Sequence, residues 1–263
     1  MHVALRTAFM IAASAAGFVT VAAPAQAAHM RQVVPFQGQV APPPPSIPPL
    51  PRVGGAQLFC PLATVDEILA GVLGDRRVVL SQGHVDPIDV AYEDALEINY
   101  HDETVEPDVE RDPATVVSVV KPEARIAVPD DPAYAFLGAP GATVWVLPEV
   151  EDERLLFPGI ATEEIPPGIF TGDSITVRFT RVCGPDGVSL FTTDAGGQPN
   201  VLVDSEDGLP DSIPLPVGTH AHHNWAFEAA GTYKIKVETT GTLAATGQQI
   251  RSKPAVLTFR VQP

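Results

Sequence analysis

The stretch NWAFEAAGTYKIKVETT, residues 224–240, decides the fold. In its second half the apolar residues Tyr233, Ile235 and Val237 alternate with lysines. Alternation with a period of two is typical of a β-strand that has one buried and one wet face. The glycine of AAGTY marks a turn before this strand, and the apolar run NWAF precedes the turn. The stretch therefore predicts two β-strands joined by a tight connection.

Most of the chain beyond Arg77 has the same short apolar runs, separated by glycine, proline and aspartate. No helical pattern alternates with these runs, which favours a sandwich over a parallel α/β sheet. AAGTY also resembles the corner of many immunoglobulin-like folds, where a tyrosine hydroxyl bonds back to a neighbouring turn. We therefore predict an all-β, immunoglobulin-like β-sandwich in which Trp145, Trp225 and Tyr233 are structural. The predicted strands are residues 78–81, 88–92, 96–101, 116–120, 175–182, 188–192, 201–204, 224–228, 233–239 and 255–261.

Residues 129–170 do not fit a minimal sandwich, because proline, glycine and apolar residues are mixed there. Phe136, Trp145 and Leu147 are too apolar to lie in water. We expect a long packed connection that covers the core, and a ligand groove is the alternative.

The N-terminus has the layout of a secretory signal. Arg6 precedes an apolar run at residues 8–23, and Ala-Gln-Ala follows at residues 25–27. The next segment contains APPPPSIPPLP, which favours an extended polyproline II spacer. We predict a signal peptide at residues 1–27, a proline-rich spacer at 28–58 and one domain at 59–263, in a secreted protein.

Two features mark the start of the predicted domain. Thr64 and Glu67 form a capping-box pattern and Gly74 ends the apolar helical spacing that follows, so we predict one short N-terminal helix. Cys60 and Cys183 are the two cysteines of the chain. An even pair in an exported protein predicts one disulfide, and two unrelated buried thiols are the alternative.

The chain carries 16 Lys and Arg against 32 Asp and Glu, a formal net charge of -16. Such a charge repels nucleic acid and anionic membrane surfaces, whereas it attracts cations. No stretch after the signal is apolar enough to cross a membrane. We therefore predict no nucleic-acid partner and no stable membrane insertion after signal cleavage.

The sequence HAHH, residues 220–223, is the first candidate for a functional site. On an extended strand His220 and His222 project from one face together with Asn224, whereas His223 points the other way. A His-x-His pair on a strand can present two imidazoles to one ion. His223 is the weaker candidate ligand.

Three more candidate ligands lie far away in the sequence. His84 and Asp86 alternate in GHVD, and His101 ends the polar face of the strand at residues 96–101. If these strands flank the His220 strand, the side chains converge on zinc or a similar divalent transition ion. Surface or hydrogen-bonded histidines are the alternative.

Signatures of common enzyme classes are missing from the sequence. It has no His-Glu-x-x-His, no Gly-x-Ser-x-Gly, no phosphate-binding glycine loop and no Cys-x-x-Cys. We therefore predict a protein that is not an enzyme.

Three segments carry a resemblance to a known family: GHVDPIDVAYED, VPDDPAYAFLGAPGATVWVLPE and DSEDGLPDSIPLPVGTHAHHNWAFEAAGTYKIKVE. Across residues 77–261 the chain resembles the actinobacterial surface-anchored protein domain family, also called choice-of-anchor M domain proteins. The resemblance implies an extracellular, wall-associated β domain encoded alongside metal-type ABC uptake systems, with components of such a transporter or of the cell wall as expected partners. The positions that match the family's pattern are His84, Asp86, His220, His222, Asn224, Trp225, Phe227, Gly231 and Tyr233.

Two departures from the family pattern matter. His223 stands where the family commonly has a small residue, so it is either an extra ligand or a plain substitution. The family's C-terminal anchor and repeated domains are missing from this sequence, which leaves wall attachment open. The resulting hypothesis is an extracellular zinc-binding accessory protein of an ABC-type uptake system. The alternative is a non-enzymatic cell-surface adhesion or scaffolding module with structural histidines.

Overall fold

The computed structural model describes residues 77–263, all of which belong to one compact unit. The predicted signal peptide, spacer, N-terminal helix and Cys60 lie outside these residues. Within residues 77–263 there is no free cysteine, and the bond between Cys60 and Cys183 stays a prediction. Among the helices of this part of the chain, none has the length and apolar character needed to span a membrane.

The described residues are almost entirely strands and loops, which confirms the all-β prediction. The seventeen strands are β1 (Val78–Leu80), β2 (Gly83–Tyr92), β3 (Leu96–Asp102), β4 (Val109–Arg111), β5 (Val116–Val120), β6 (Arg125–Ala127), β7 (Thr143–Leu147), β8 (Leu156–Ala161), β9 (Phe170–Cys183), β10 (Val188–Thr193), β11 (Pro199–Asp204), β12 (Asp211–Pro216), β13 (His220–His222), β14 (Asn224–Phe227), β15 (Gly231–Leu243), β16 (Gln249–Arg251) and β17 (Ala255–Val261). Three 3₁₀ helices lie at Pro113–Thr115, Pro122–Ala124 and Pro132–Leu137.

The strands form three sheets. Sheet A has the order β1-β5-β17-β15-β9-β12, with β16 paired to β15. Sheet B has the order β13-β8-β2-β3-β4, and sheet C has the order β11-β10-β14-β7-β6. Most neighbours are antiparallel, but β5 runs parallel to both β1 and β17, and β2 runs parallel to β8.

Sheets A and C pack face to face through aromatic side chains. The Trp225 ring centroid of β14 lies 6.1 Å from that of Phe179 and 5.4 Å from that of Phe259. Phe227 lies 5.1 Å from Phe259. All four side chains are fully buried, so they form the centre of a β-sandwich core.

The turn before β15 has the hydrogen bonds that the sequence predicted. The Ala229 amide donates to the Tyr233 hydroxyl oxygen at 3.0 Å, and this hydroxyl donates to the Ala229 carbonyl at 2.9 Å. Tyr233 is fully buried. The hydroxyl therefore satisfies both backbone groups of Ala229, which fixes the chain where it enters β15.

The connection predicted at residues 129–170 is packed, but it contains two internal strands. β7 lies between β14 and β6 in sheet C, and β8 lies between β13 and β2 in sheet B. Trp145 and Leu147 are buried because they belong to β7. The proline and glycine of β8 obscure its strand pattern in the sequence, although this strand lies between the two strands that carry the candidate site.

Candidate metal centre

The candidate site lies on one face of sheet B, where β8 separates β13 from β2. β13 carries His220 and His222, and β2 carries His84 and Asp86. Two strands that flank a third are roughly 10 Å apart, so side chains from both meet only if the middle strand leaves room. Gly159 of β8 leaves that room. A Cβ atom there would lie 2.6 Å from His220 Nε2 and would clash with Asp86 Oδ1.

The three imidazoles converge through the same ring nitrogen. His84 Nε2 lies 3.3 Å from His220 Nε2 and 3.2 Å from His222 Nε2. Asp86 Oδ1 lies 2.8 Å from His220 Nε2 and 3.8 Å from His84 Nε2. Ligands about 2.0–2.1 Å from a tetrahedral zinc ion are about 3.3–3.4 Å from each other. The two nitrogen–nitrogen distances from His84 therefore fit the first shell of one such ion, and one ligand atom from each histidine lies within 4.8 Å of the others.

Carboxylates on the far side of two rings determine which nitrogen faces the cluster as a ligand. His84 Nδ1 lies 2.9 Å from Glu103 Oε2, and His220 Nδ1 lies 3.5 Å from Glu163 Oε2. A carboxylate beside Nδ1 favours the proton on that nitrogen and leaves the Nε2 lone pair free for a metal. Without a cation, these lone pairs would face one another and the Asp86 carboxylate.

Burial keeps His222 neutral and makes the negative charge of Asp86 costly. The pKa of His222 is lowered to about 4, chiefly by burial and then by His220. Burial raises the pKa of Asp86 by more than the nearby His220 and His84 lower it. His220 Nε2 lies 2.8 Å from the buried Asp86 Oδ1. With the His220 proton on Nδ1, beside Glu163, no group in the described part of the chain donates a hydrogen bond to this oxygen, and a bound cation would be its partner.

An aromatic wall closes one side of the cluster. The Phe157 ring of β8 stacks on His222, with centroids 3.5 Å apart and planes at 5°. It also lies 5.6 Å from the His84 ring. This contact limits the rotation of both imidazoles, so two of the ligands are held in place before an ion arrives.

The structure thus brings together four of the five predicted ligands, namely His84, Asp86, His220 and His222. His101 lies beside them in a second group with Asp89 and Glu110. Its Nδ1 is 3.9 Å from Asp86 Oδ2, on the far side of that carboxylate from the histidine cluster.

His223 and Asn224 lie apart from the cluster because the chain changes sheets at His223. β13 belongs to sheet B and β14 belongs to sheet C, so the expected common face of His220, His222 and Asn224 is wrong. His223 is buried, which lowers its pKa, and its Nδ1 has no hydrogen-bond partner within residues 77–263. Asn224 accepts a hydrogen bond from the Glu149 amide at 3.0 Å.

Sequence reasoning missed Glu103, Phe157, Gly159 and Glu163. A glycine inside a strand often marks a close approach, and this signal was present in LFPGIA. The proline beside this glycine interrupts the alternation of a strand, so the local pattern predicts a connection there instead of a strand. Glu103 lies two residues after His101, and nothing in the local sequence indicates its contact with the distant His84.

Comparison with known proteins gives no match. No protein-family model matches the chain, and neither a curated protein nor a solved structure does.

Proposed function

We propose that the protein captures a divalent transition ion, zinc or a similar metal, outside the cell. The observation that carries this proposal is the convergence of three imidazoles. His84 Nε2 lies 3.2–3.3 Å from the Nε2 atoms of His222 and His220, and Asp86 Oδ1 lies beside them. Three imidazoles and a carboxylate are ligands that suit zinc and other borderline divalent ions. The net charge of -16 favours the approach of cations.

Four protein ligands around one ion favour binding over catalysis. A catalytic zinc site keeps one coordination position open for water, whereas a closed site of four protein ligands does not. We therefore propose a non-enzymatic carrier or accessory protein. The resemblance to the actinobacterial surface-anchored family adds the proposed partner, an ABC-type uptake system, and the predicted signal peptide adds the extracellular location.

Metal content tests this proposal. Purified protein is stripped with a chelator, dialysed against zinc and analysed for zinc per chain. We expect the double variant His220→Ala/His222→Ala to bind one zinc fewer than the wild type. The matched control His223→Gln, which changes a histidine outside the cluster, keeps the wild-type content. Equal zinc in the double variant and the wild type would overturn the proposal.

The alternative, an adhesion or scaffolding module with structural histidines, predicts another result. A chelator would then leave the melting temperature unchanged, because no ion is bound to the native state. An ion that binds only the folded protein raises stability by about 2.7 kcal/mol when its free concentration is 100 times Kd. A chelator-sensitive melting temperature in the wild type, absent from the double variant, favours metal capture.

A further inference from the structure

A second group of ligands lies on the same face of sheet B. Asp89 of β2, His101 of β3 and Glu110 of β4 each offer an atom within 4.8 Å of the others. His101 pairs directly with Glu110 across β3 and β4, and with Asp86 across β2 and β3. Three neighbouring strands thus place these side chains side by side.

An irregularity in β2 brings Asp89 onto this face. Asp86 pairs with His101 and Asp89 pairs with Asn99, so two residues of β2 oppose one residue of β3 between these pairs. In a regular strand, residues three apart point to opposite faces. The additional residue of this bulge turns Asp89 to the side of Asp86 and His101.

A carboxylate behind the ring orients His101, as one does for His84, although the nitrogen that faces this carboxylate is Nε2 in His101 and Nδ1 in His84. His101 Nε2 is hydrogen-bonded to Asp108 Oδ2 at 2.8 Å, which favours the proton on Nε2. Its Nδ1 then presents a lone pair to the group, 3.7 Å from Glu110 Oε1 and 3.9 Å from Asp86 Oδ2. A carboxylate behind a histidine is the usual outer partner of a metal ligand.

Asp89 is a buried carboxylate whose charge calls for a positive partner. Its side chain is only 2% exposed, and within residues 77–263 it makes no hydrogen bond or ion pair. Burial, followed by the charges of Glu110, Glu164 and Asp86, raises its pKa to about 7. A buried carboxylate among other carboxylates is costly unless a positive charge compensates it.

We infer that Asp89, His101 and Glu110 bind a second divalent cation, and that Asp86 bridges it to the first. Asp86 Oδ1 faces the histidine cluster, whereas Oδ2 faces His101. The second site is richer in oxygen ligands than the first, so it suits harder ions such as manganese as well as zinc. The inference rests on the proposed function, because the two ions share Asp86.

Stoichiometry separates the two sites. Stripped wild-type protein dialysed against zinc is expected to bind two ions per chain, and Asp89→Asn, which keeps the shape of the side chain, is expected to bind one. The control Glu97→Gln, an exposed carboxylate of β3, keeps two. Circular dichroism of the metal-free variants checks that each is folded.

The pattern of losses distinguishes failure of the second site from failure of the first. One ion per chain that is lost in His220→Ala/His222→Ala but kept in Asp89→Asn would overturn the second site alone. One ion that is lost only in Asp89→Asn would overturn the first site instead. No zinc above background in the wild type would overturn both.

Loading with manganese tests the bridge. Two manganese ions joined by one carboxylate are magnetically coupled, so we expect a coupled electron paramagnetic resonance spectrum in the wild type. Asp89→Asn is expected to give the spectrum of an isolated ion. Two bound ions with the isolated-ion spectrum in the wild type would contradict the bridging role of Asp86.

Discussion

Replacing Gly159 with alanine tests whether the three strands of the site converge as described. The new Cβ would lie 2.6 Å from His220 Nε2, and real Cβ contacts shorter than 3.0 Å essentially do not occur. The imidazole must move by about 0.4 Å or more, twice the tolerance of about 0.2 Å for a metal–ligand distance. The clash with Asp86 Oδ1 requires a larger movement. We expect metal affinity to fall about 100-fold, equivalent to about 2.7 kcal/mol.

The same substitution should barely change the metal-free fold. Gly159 has no positive φ, so alanine fits the backbone, and the atoms that it meets are ends of side chains that can rotate away. Affinity is measured by competition with a chromophoric chelator, and folding by the melting temperature of the stripped protein. Gly196→Ala is the matched control, because its nearest neighbour would be Asp194 Oδ1 at 3.3 Å. Zinc affinity of Gly159→Ala within threefold of the wild type would refute the reasoning.

Three further predictions follow from the contacts around the site and the core. Glu103→Gln removes the charge behind His84, so zinc affinity should fall about 10-fold in the chelator competition; unchanged affinity would show that this carboxylate is incidental. The raised pKa of Asp89, about 7 against 3.8, gives stability that is present below about pH 4 and lost as the pH rises through 7. In denaturant unfolding of the metal-free protein, the free energy of unfolding of Asp89→Asn should therefore rise relative to that of the wild type between about pH 4 and 7. A difference that does not depend on pH would contradict the raised pKa of Asp89. Tyr233→Phe leaves the backbone groups of Ala229 without their partner and should lower the free energy of unfolding by about 1–3 kcal/mol without affecting zinc binding; a variant as stable as the wild type would contradict this role.

Several strands of the core could be predicted from the sequence because each is either a short apolar run or an alternating one. Predicted residues 116–120 and 255–261 match β5 and β17. The apolar positions of β15 are likewise buried, as expected. In β15 the burial of one face follows from the local alternation, whereas in β5 a continuous apolar run predicts a strand that is buried on both faces.

The strands that build the candidate site could not be read in the same way. β13 has three residues, and β8 contains proline and glycine, so neither has a clear alternating pattern. His220 and His84 are candidates because of their residue type and because each is separated by one residue from a second candidate ligand, which places each pair on one face of a strand. Their meeting depends on β8 lying between β13 and β2 with Gly159 at the crossing point. Sheet order is set by tertiary packing, which short-range patterns do not encode.

A crystal structure of the zinc-loaded protein, with anomalous scattering measured at the zinc edge, tests the central claim most directly. We expect an anomalous peak about 2.0–2.1 Å from Nε2 of His84, His220 and His222, within bonding distance of Asp86 Oδ1. Zinc at another place, with these three rings hydrogen-bonded only to one another, would contradict it.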